Sequence, residues 1–416
     1  MTVQQTVSDG ALRGNSPLSS GVCPFGHGVG GQKTARQAEP LDRPLERDAA
    51  GVWHVRSFAV ARQILRGGST RQAGFGAEMM DRMGERMRQP ILYLEGKEHH
   101  EQRKDTARFF TPKWVSDNYR PLMQRLTGEI LGRFKAKGRA ELSEIAMEMA
   151  VGVAGEVVGL TDSRLAGMDK RLNAFFAGAS TTASKSVLLK LLNFIPNQTR
   201  LLAFFYLDVA PAIAARRKQP KEDVISHLLA CGYRTPEILT ECITYGAAGM
   251  VTTREFITAA TWHMLENPDL RARYLAAEEA ERYAILEETL RLEPVVGHLY
   301  RRATADIPIG DQTIPQGAKI NLHIYAINAD EAAVGADPLS LCPMRELQDS
   351  KASPPMASFG DGHHRCPGSY LAIQETDIFL RELLALPGLA MERAPEVSWN
   401  ELAASYELRN CHLVLR

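Results

Sequence analysis

The chain has 416 residues, of which 44% are hydrophobic and 24% are charged, so its composition excludes a disordered or fibrous protein. Its 49 Lys and Arg residues equal its 49 Asp and Glu residues in number, which removes the basic excess that non-specific nucleic-acid binding requires. No apolar run reaches the roughly 18 to 20 residues of a membrane helix, and the opening residues lack an apolar signal core, so we expect a cytoplasmic protein that binds neither nucleic acid nor membrane.

Residues 1–45 are rich in Gly, Ser, Pro and Gln and have no hydrophobic period, which predicts a flexible or loosely held N-terminal segment. From about residue 55 to 290 the hydrophobic period is mostly helical. Short strands joined by Gly and Pro turns are predicted over 301–322, and a further hairpin over 406–415. This mixture predicts a mainly α fold with small β-sheets (α+β), and because we find no internal repeat and no strong linker, we predict a single domain over 46–416.

The most specific pattern in the sequence is FGDGHHRCPG at residues 359–368. Its glycines let the backbone approach a flat group closely. Cys366 comes just before the predicted helix at 369–380, whose amide N–H groups point toward the sulfur, stabilise a thiolate and suit it to bind a metal. The alternative is a buried structural cysteine in a glycine-rich turn. The complete pattern favours the metal ligand.

These ten residues resemble the haem-binding loop of the cytochrome P450 family, Phe-x-x-Gly-x-His-x-Cys-x-Gly, with every specified position present. The resemblance implies a cytochrome P450-like triangular prism fold with a long central helix over haem b, whose iron Cys366 binds as the axial ligand. It also implies that Phe359, His364 and Gly368 help to bind the haem. The activity implied is that of a haem-thiolate monooxygenase, which inserts one oxygen atom from dioxygen into a substrate.

Two cationic side chains lie four residues apart on a predicted helix, His99 and Arg103, and can present two donors to one anion. The resemblance implies that they bind the haem propionates. It assigns the same function to Arg301 and to His364, two residues before the cysteine. For each of these side chains, a plain surface charge is the alternative.

Glu288 and Arg291 lie three apart on one face of a predicted helix, where they can form an ion pair. Such pairs are common on solvated helices, which is the alternative interpretation. Their position resembles the Glu-x-x-Arg pair of the family, and Arg345 matches the third member of that buried network. We therefore expect these residues to act in folding and in support of the haem loop.

The segment AGMVTT at 248–253 lies midway along the predicted helix from about 236 to 266. Gly weakens a helix there, and Thr hydroxyls compete for its backbone carbonyls. The segment resembles the Ala-Gly-x-(Asp/Glu)-Thr groove of the family, which binds dioxygen beside the haem. Ala248 and Gly249 would then border the haem, and Thr252 and Thr253 would act in catalysis. A core helix with small residues for packing is the alternative.

Val251 stands where the family usually carries an acid that helps to relay protons. We expect proton delivery through Thr252, Thr253 and ordered water. A haem-thiolate peroxygenase or oxidative coupling enzyme would tolerate the missing acid and is the alternative function. A haem-binding sensor would keep Cys366 but have little use for the groove.

Electrons must come from another protein, because the sequence has neither a Gly-rich dinucleotide fingerprint nor a four-cysteine cluster motif. We expect a ferredoxin or flavodoxin with its reductase as donor. Two interpretations fit four cationic residues on predicted helices, a basic docking patch for this donor and a merely solvated helix face. These residues are Arg103, Lys104, Arg108 and Lys113.

The resemblance also implies which segments surround the substrate. They are the segment after Gly74, residues 175–206, 245–251 and 295–299, and the final turn. Few charges occur in the helical wall, so we expect a mainly apolar small molecule, as in secondary metabolism. Four methionines follow Gly74, namely Met79, Met80, Met83 and Met87. Their flexible thioethers suit varied apolar shapes, although core packing explains their helical spacing as well.

Overall fold

The computed structural model describes residues 31–35, 43–77, 88–182, 187–400 and 404–416, with side chains described outside 176–195. Over these ranges, we find no helix that combines the length and the hydrophobicity required to span a bilayer. Within the N-terminal segment, Thr34 is buried against the rest of the protein. Its backbone N–H donates to the Glu293 carboxylate at 3.0 Å, and its hydroxyl lies 2.7 Å from that of Tyr325.

Helices form most of the described fold, as the sequence predicts. The α-helices are α1 (Phe58–Arg66), α2 (Gly96–Thr106), α3 (Pro112–Trp114), α4 (Arg120–Lys137), α5 (Leu142–Val158), α6 (Met168–Thr182), α7 (Val187–Phe204), α8 (Ala210–Lys218), α9 (Val224–Ala230), α10 (Thr235–Tyr245), α11 (Thr252–Glu266), α12 (Pro268–Ala276), α13 (Glu279–Leu292), α14 (Ile324–Ile327), α15 (Glu331–Val334) and α16 (Ser369–Leu384). π-helical segments cover Val115–Tyr119, Phe205–Val209 and Gly246–Val251, and 3₁₀ turns cover Ile91–Tyr93, Ala107–Phe110 and Gly362–His364.

The strands are short and form small sheets. They are β1 (Leu45–Arg47), β2 (Trp53–Val55), β3 (Thr70–Gln72), β4 (Arg139–Glu141), β5 (His298–Ala303), β6 (Ile307–Ile309), β7 (Gln312–Ile314), β8 (Lys319–His323), β9 (Leu389–Arg393), β10 (Glu396–Asn400), β11 (Ser405–Arg409) and β12 (His412–Leu415). The largest sheet has the order β1-β2-β8-β5-β3, in which only β2 and β8 pair in parallel. Smaller sheets are β4-β12-β9, β10-β11 and β6-β7. Strands occur in both predicted regions, but the hairpin predicted over 406–415 is wrong. β11 pairs with β10, whereas β12 pairs with β4 and β9, because the chain passes from one sheet to another at Asn410 and Cys411.

A long helical run crosses the centre of the fold. It consists of α10, the π segment Gly246–Val251 and α11. Pro236 lies in its first turn, where a missing N–H costs no helical bond, and the Glu237 carboxylate accepts the Arg234 backbone N–H at 2.7 Å. The run ends at Asn267, whose side chain caps α12 by accepting the N–H of Leu270 at 2.8 Å.

Two hydrophobic cores stabilise this arrangement. The larger core joins α4, α5, α11, α13 and α16, with fully buried members such as Ile130, Ile257 and Phe379. The smaller core lies between the five-stranded sheet and α1, around Ile64, Ile320 and similar residues. The segment 359–368 is continuous with both cores, because it follows Met356 and Ala357 of the smaller core and leads into α16 of the larger one.

Candidate active site

The cysteine loop is held by its own backbone and by glycine conformations. The backbone N–H of Cys366 donates to the carbonyl of Phe359 at 2.8 Å, which closes the loop, and α16 begins three residues after the cysteine. Gly362 has a φ of +65°, and a Cβ added to it would lie 2.2 Å from the carbonyl oxygen of Leu65. Glycine is required there both by its backbone angle and by the close approach of α1.

The surroundings of the Cys366 sulfur act in opposite directions on its pKa. Burial raises the pKa of the thiol, whereas the N–H of Gly368 and the charges of Arg103 and Arg365 lower it. The same N–H and guanidinium groups would stabilise a thiolate once a metal binds the sulfur. The loop therefore supplies a sulfur whose anionic form has specific stabilising partners.

Two of the predicted propionate ligands converge on one carboxylate. Arg301 on β5 is buried, and its guanidinium donates to Glu95 at 2.9 Å. The other oxygen of the same carboxylate lies 3.0 Å from Nε2 of His364. Arg301 is also fixed by the Gln72 side-chain oxygen at 2.9 Å and the Thr70 hydroxyl at 3.1 Å. This geometry suits a carboxylate held between a guanidinium group and an imidazole ring.

The other predicted pair lies on α2 beside the loop. His99 is buried, and its ring stacks against that of His364 with centroids 4.2 Å apart. The pKa of His99 is lowered to about 4, mainly by burial and secondly by the charge of His364. Its ring is therefore neutral at pH 7. Arg103 donates to the backbone carbonyl of Arg365 in the cysteine loop. The structure thus brings His99, Arg103, Arg301 and His364 together near Cys366.

The residues present fit a haem group on two observations. Nδ1 of the buried His99 has no hydrogen-bond partner among the described residues, although buried polar atoms normally have one. In addition, Arg301 and His364 already bind the kind of anion that a propionate offers, here the Glu95 carboxylate. Together with the thiol of Cys366, this donor set matches the iron and the carboxylates of a haem.

Glu288 is at the centre of a buried ion network that supports the loop. Arg291 donates to both of its carboxylate oxygens, at 2.7 and 2.8 Å, and Arg345 donates to one of them at 3.3 Å. The backbone carbonyl of Arg291 accepts from Asn328, whose own oxygen accepts the backbone N–H of Ala357 at 2.9 Å. The network therefore fixes the chain two residues before Phe359, as predicted for its part in loop support.

The segment 248–253 lies at the junction between the π segment and α11. The hydroxyl of Thr252 donates to the carbonyl of Ala248 at 2.5 Å, as expected for a Thr that competes for helical carbonyls. Ala248 is exposed, Gly249 is half-buried, and Val251 and Thr253 are buried. π segments frequently occur at functional sites, which agrees with a groove at this point of the helix.

The two acids of the central helix nearest to Val251, Glu255 and Glu241, are both buried and hydrogen-bonded to other groups. Glu255, one turn further on, is fully buried and bound by the Leu408 backbone N–H and by Arg409, both at 2.8 Å. Glu241 lies more than two turns before Thr252. It is also buried, and it accepts hydrogen bonds from Gln102 at 2.8 Å and from the backbone N–H of Ile91 at 3.1 Å.

Sequence reasoning missed Glu95 and Glu241. Glu95 lies just before the helix on which His99 and Arg103 were predicted to bind an anion. Nothing in the sequence around Glu95 indicates a contact with Arg301, which lies 206 residues later in the chain. Glu241 lies on the predicted central helix, before the substrate wall predicted at 245–251, and a single acid on a helix is usually solvent-exposed. Burial raises its pKa to about 7, a shift that requires knowledge of the tertiary packing.

The predicted docking patch is partly neutralised. Arg108 forms an ion pair with Glu222 at 3.3 Å, and Lys113 forms one with Asp117 at 2.5 Å. Lys104 is exposed on α2. Of the predicted substrate walls, the four methionines between 79 and 87 belong to a segment outside the described residues.

Comparisons with known proteins agree with this fold. The family model described as Cytochrome P450 matches residues 283–386, which include Glu288, Arg291 and Cys366. Cytochrome P450 130 of Mycobacterium tuberculosis is 28% identical over 71% of each chain, and Cytochrome P450-SU2 of Streptomyces griseolus is 28% identical over 94% of this chain and 93% of its own. The solved structure of CYP109B1 from Bacillus subtilis, 23% identical, covers 90% of this chain and 96% of its own with a TM-score of 0.71.

Fold and relatives together indicate a cytochrome P450 of the bacterial type. The family-model match and the bacterial relatives support the assignment of the chain to the cytochrome P450 family as an oxidoreductase. Family membership implies a haem cofactor and monooxygenase chemistry. The predicted family, fold class and enzyme class are therefore confirmed.

Proposed function

We propose that this protein is a monooxygenase that inserts one oxygen atom from dioxygen into a mainly apolar small molecule, with haem b as cofactor and Cys366 as the axial ligand of its iron. The cysteine loop is the observation that carries the proposal. It combines a sulfur beside the Gly368 N–H, Arg103 and Arg365 with a backbone closure at Phe359. The thiolate-ligated haem supplies the activation of dioxygen, and the protein supplies binding, orientation and protons.

The propionates would be held by His99, Arg103, Arg301 and His364. His99 has the buried nitrogen without a partner, and Arg301 and His364 already converge on a carboxylate. A propionate bound between Arg301 and His364 would displace the Glu95 carboxylate from these two side chains. Phe359 and Gly368 would shape the loop around the sulfur, while Ala248 and Gly249 would border the opposite face of the haem.

Thr252 and Thr253 would orient water and move protons in the groove. The Thr252 hydroxyl donates to the Ala248 carbonyl at 2.5 Å, which leaves its oxygen able to accept a hydrogen bond from water. Because Val251 has no ionisable group and Glu255 is fully engaged, we place the proton path through these hydroxyls and ordered water. The residues would thereby perform the task that the family assigns to an acid–alcohol pair.

The absorption spectrum of the reduced holoprotein under carbon monoxide tests the axial ligand. We expect a strongly red-shifted, thiolate-type Soret band in the wild type and its loss in Cys366→Ala. Cys411→Ala is the matched control, because Cys411 is a buried free thiol that no haem motif includes. A histidine-type band that Cys366→Ala leaves unchanged would refute the assignment.

A second function is favoured by Val251 alone, namely peroxygenase or oxidative coupling chemistry. Peroxide brings its own protons and electrons, so an enzyme that uses it has less need of an acid beside Thr252. Product formation should be compared with hydrogen peroxide and with dioxygen plus a ferredoxin system, in the wild type and in Val251→Asp. Faster turnover with peroxide in the wild type, and a gain of the dioxygen reaction in Val251→Asp, would favour the second function.

The apolar substrate is supported by the wall of the central helix and by relatives. Tyr245, Ala248 and Val251 provide uncharged side chains on that wall. One similar structure is P450BioI in complex with a hexadec-9Z-enoic acid ligated acyl carrier protein, and another is CYP109E1 in complex with corticosterone. Similar structures also include a P450 EryK mutant in complex with erythromycin B and the hydroxylase HmtN of himastatin biosynthesis, which supports a place in secondary metabolism.

A ferredoxin or flavodoxin with its reductase is the proposed electron donor. It would dock on the cysteine side of the haem, where Arg103 and the exposed Lys104 lie on α2. Location in the cytoplasm and the division into an N-terminal segment (1–45) and one catalytic domain (46–416) stay predictions.

A further inference from the structure

Three potential metal ligands meet at the surface between α2 and α9, outside the proposed haem site. Asp105 is exposed near the end of α2, His227 is half-buried on α9, and Cys231 is exposed immediately after α9. One ligand atom from each residue lies within 4.8 Å of the other two. No other part of the proposed mechanism uses these side chains.

The spacing of the imidazole and the thiol fits one edge of a tetrahedral zinc site. His227 and Cys231 are four residues apart, so they lie on the same side of the helix. Zn–S and Zn–N bonds of about 2.3 and 2.05 Å at a tetrahedral angle place the two ligand atoms about 3.6 Å apart. The distance from Cys231 Sγ to His227 Nε2 is 3.6 Å. The ligand on α9 and the one at its C-terminal end are therefore already arranged for zinc.

The charges at the cluster also suit a divalent cation. The imidazole of His227 can donate a nitrogen lone pair to a metal ion. Asp105 supplies a carboxylate, and Cys231 supplies a second negative charge once its thiol proton has passed to solvent. Arg108 is the nearby cation, and its charge is balanced by Glu222 at 3.3 Å.

We propose that Asp105, His227 and Cys231 bind a zinc-type divalent metal ion, with water as the fourth ligand. A mixed sulfur, nitrogen and oxygen donor set is typical of zinc, whereas calcium and magnesium prefer oxygen alone. The ion would join α2 to α9. Because α2 also carries His99 and Arg103, the metal would restrain the helix that we propose to hold one haem propionate.

Calorimetric titration of the EDTA-treated holoprotein with Zn²⁺ tests the site. We expect one equivalent to bind, and affinity to fall roughly tenfold or more in Cys231→Ser and in Asp105→Asn, since each removes one of three protein ligands. Glu101→Gln is the matched control, because Glu101 is an exposed acid on the same helix that pairs only with Lys97 among its described contacts. Its affinity should equal that of the wild type.

Alkylation of the Cys231 thiol gives a second measurement on the unmodified sequence. Iodoacetamide labelling of Cys231, followed by peptide mass spectrometry, should slow at least tenfold in saturating Zn²⁺. Labelling at an unchanged rate, or equal zinc affinity in the wild type and Cys231→Ser, would overturn the proposal. Neither measurement depends on haem ligation, so this inference and the proposed function can fail separately.

Discussion

Replacement of Glu241 by Gln should change how the stability of the protein depends on pH. Burial raises the pKa of this carboxyl from its ordinary value of 4.5 to about 7, although Gln102 and the Ile91 N–H act to lower it. The folded state therefore binds the proton more tightly than the unfolded state. Stability falls as the pH rises from about 4.5 through 7, since the unfolded chain releases its proton first.

The magnitude follows from the two pKa values. A group that titrates at about 7 when folded and at 4.5 when unfolded destabilises the fold by about 1.4 kcal/mol at pH 5.5 and by about 3.4 kcal/mol at pH 8.5. Gln cannot ionise, and its oxygen can still accept from Gln102 and Ile91. We therefore expect Glu241→Gln to gain about 2 kcal/mol relative to the wild type between these two pH values.

Equilibrium urea unfolding of the holoprotein, followed by far-UV circular dichroism at pH 5.5, 7 and 8.5, measures this difference. Glu237→Gln on the same helix is the control. Burial acts to raise the pKa of Glu237, but its bonds with Arg234 dominate and hold that pKa at about 2. Its effect should therefore be constant above pH 5.5. A difference between wild type and Glu241→Gln that does not change with pH would refute the reasoning.

Two further predictions concern the cysteine loop. Glu288→Gln should lower the free energy of unfolding by about 3–5 kcal/mol and lower the haem content, because it leaves Arg291 and Arg345 buried without a counter-charge. Urea unfolding and haem absorbance per chain measure these two effects. Effects no larger than those of the neighbouring Glu287→Gln would contradict the prediction. Gly362→Ala should lose more stability and haem than Gly310→Ala: both positions have positive φ, but only Gly362 has a backbone oxygen at 2.2 Å from an added Cβ. Equal losses in these two variants would show that the contact with Leu65 is unimportant.

Local patterns in the sequence predicted the parts of the site that follow one another along the chain. The cysteine loop, the Glu288–Arg291 pair and the small-residue segment at 248–253 each occupy a short stretch, and their spacing limits what they can contact. The helix and strand regions were predictable for the same reason, because hydrophobic period and turn residues act locally.

Contacts between distant segments could not be predicted in this way. Glu95 meets Arg301 and His364 only because α2, β5 and the cysteine loop converge in three dimensions. The pKa of Glu241 depends on burial by the chain around Ile91 and Gln102, which its own helix does not reveal. Likewise, the α2 acid that joins the metal cluster lies more than 120 residues before the α9 ligands.

The π segment Gly246–Val251 makes the central helix sensitive to chain length as well as to residue type. A π turn holds one more residue than an α turn, so it rotates everything after it by about 100° about the helix axis. Deleting one residue there would turn Thr252 and Thr253 away from their present direction while leaving both hydroxyls in the protein. Substitution libraries do not change the direction of these side chains, whereas a single-codon deletion scan of 246–251 does. Such a scan would separate the effect of the hydroxyl groups from the effect of their orientation.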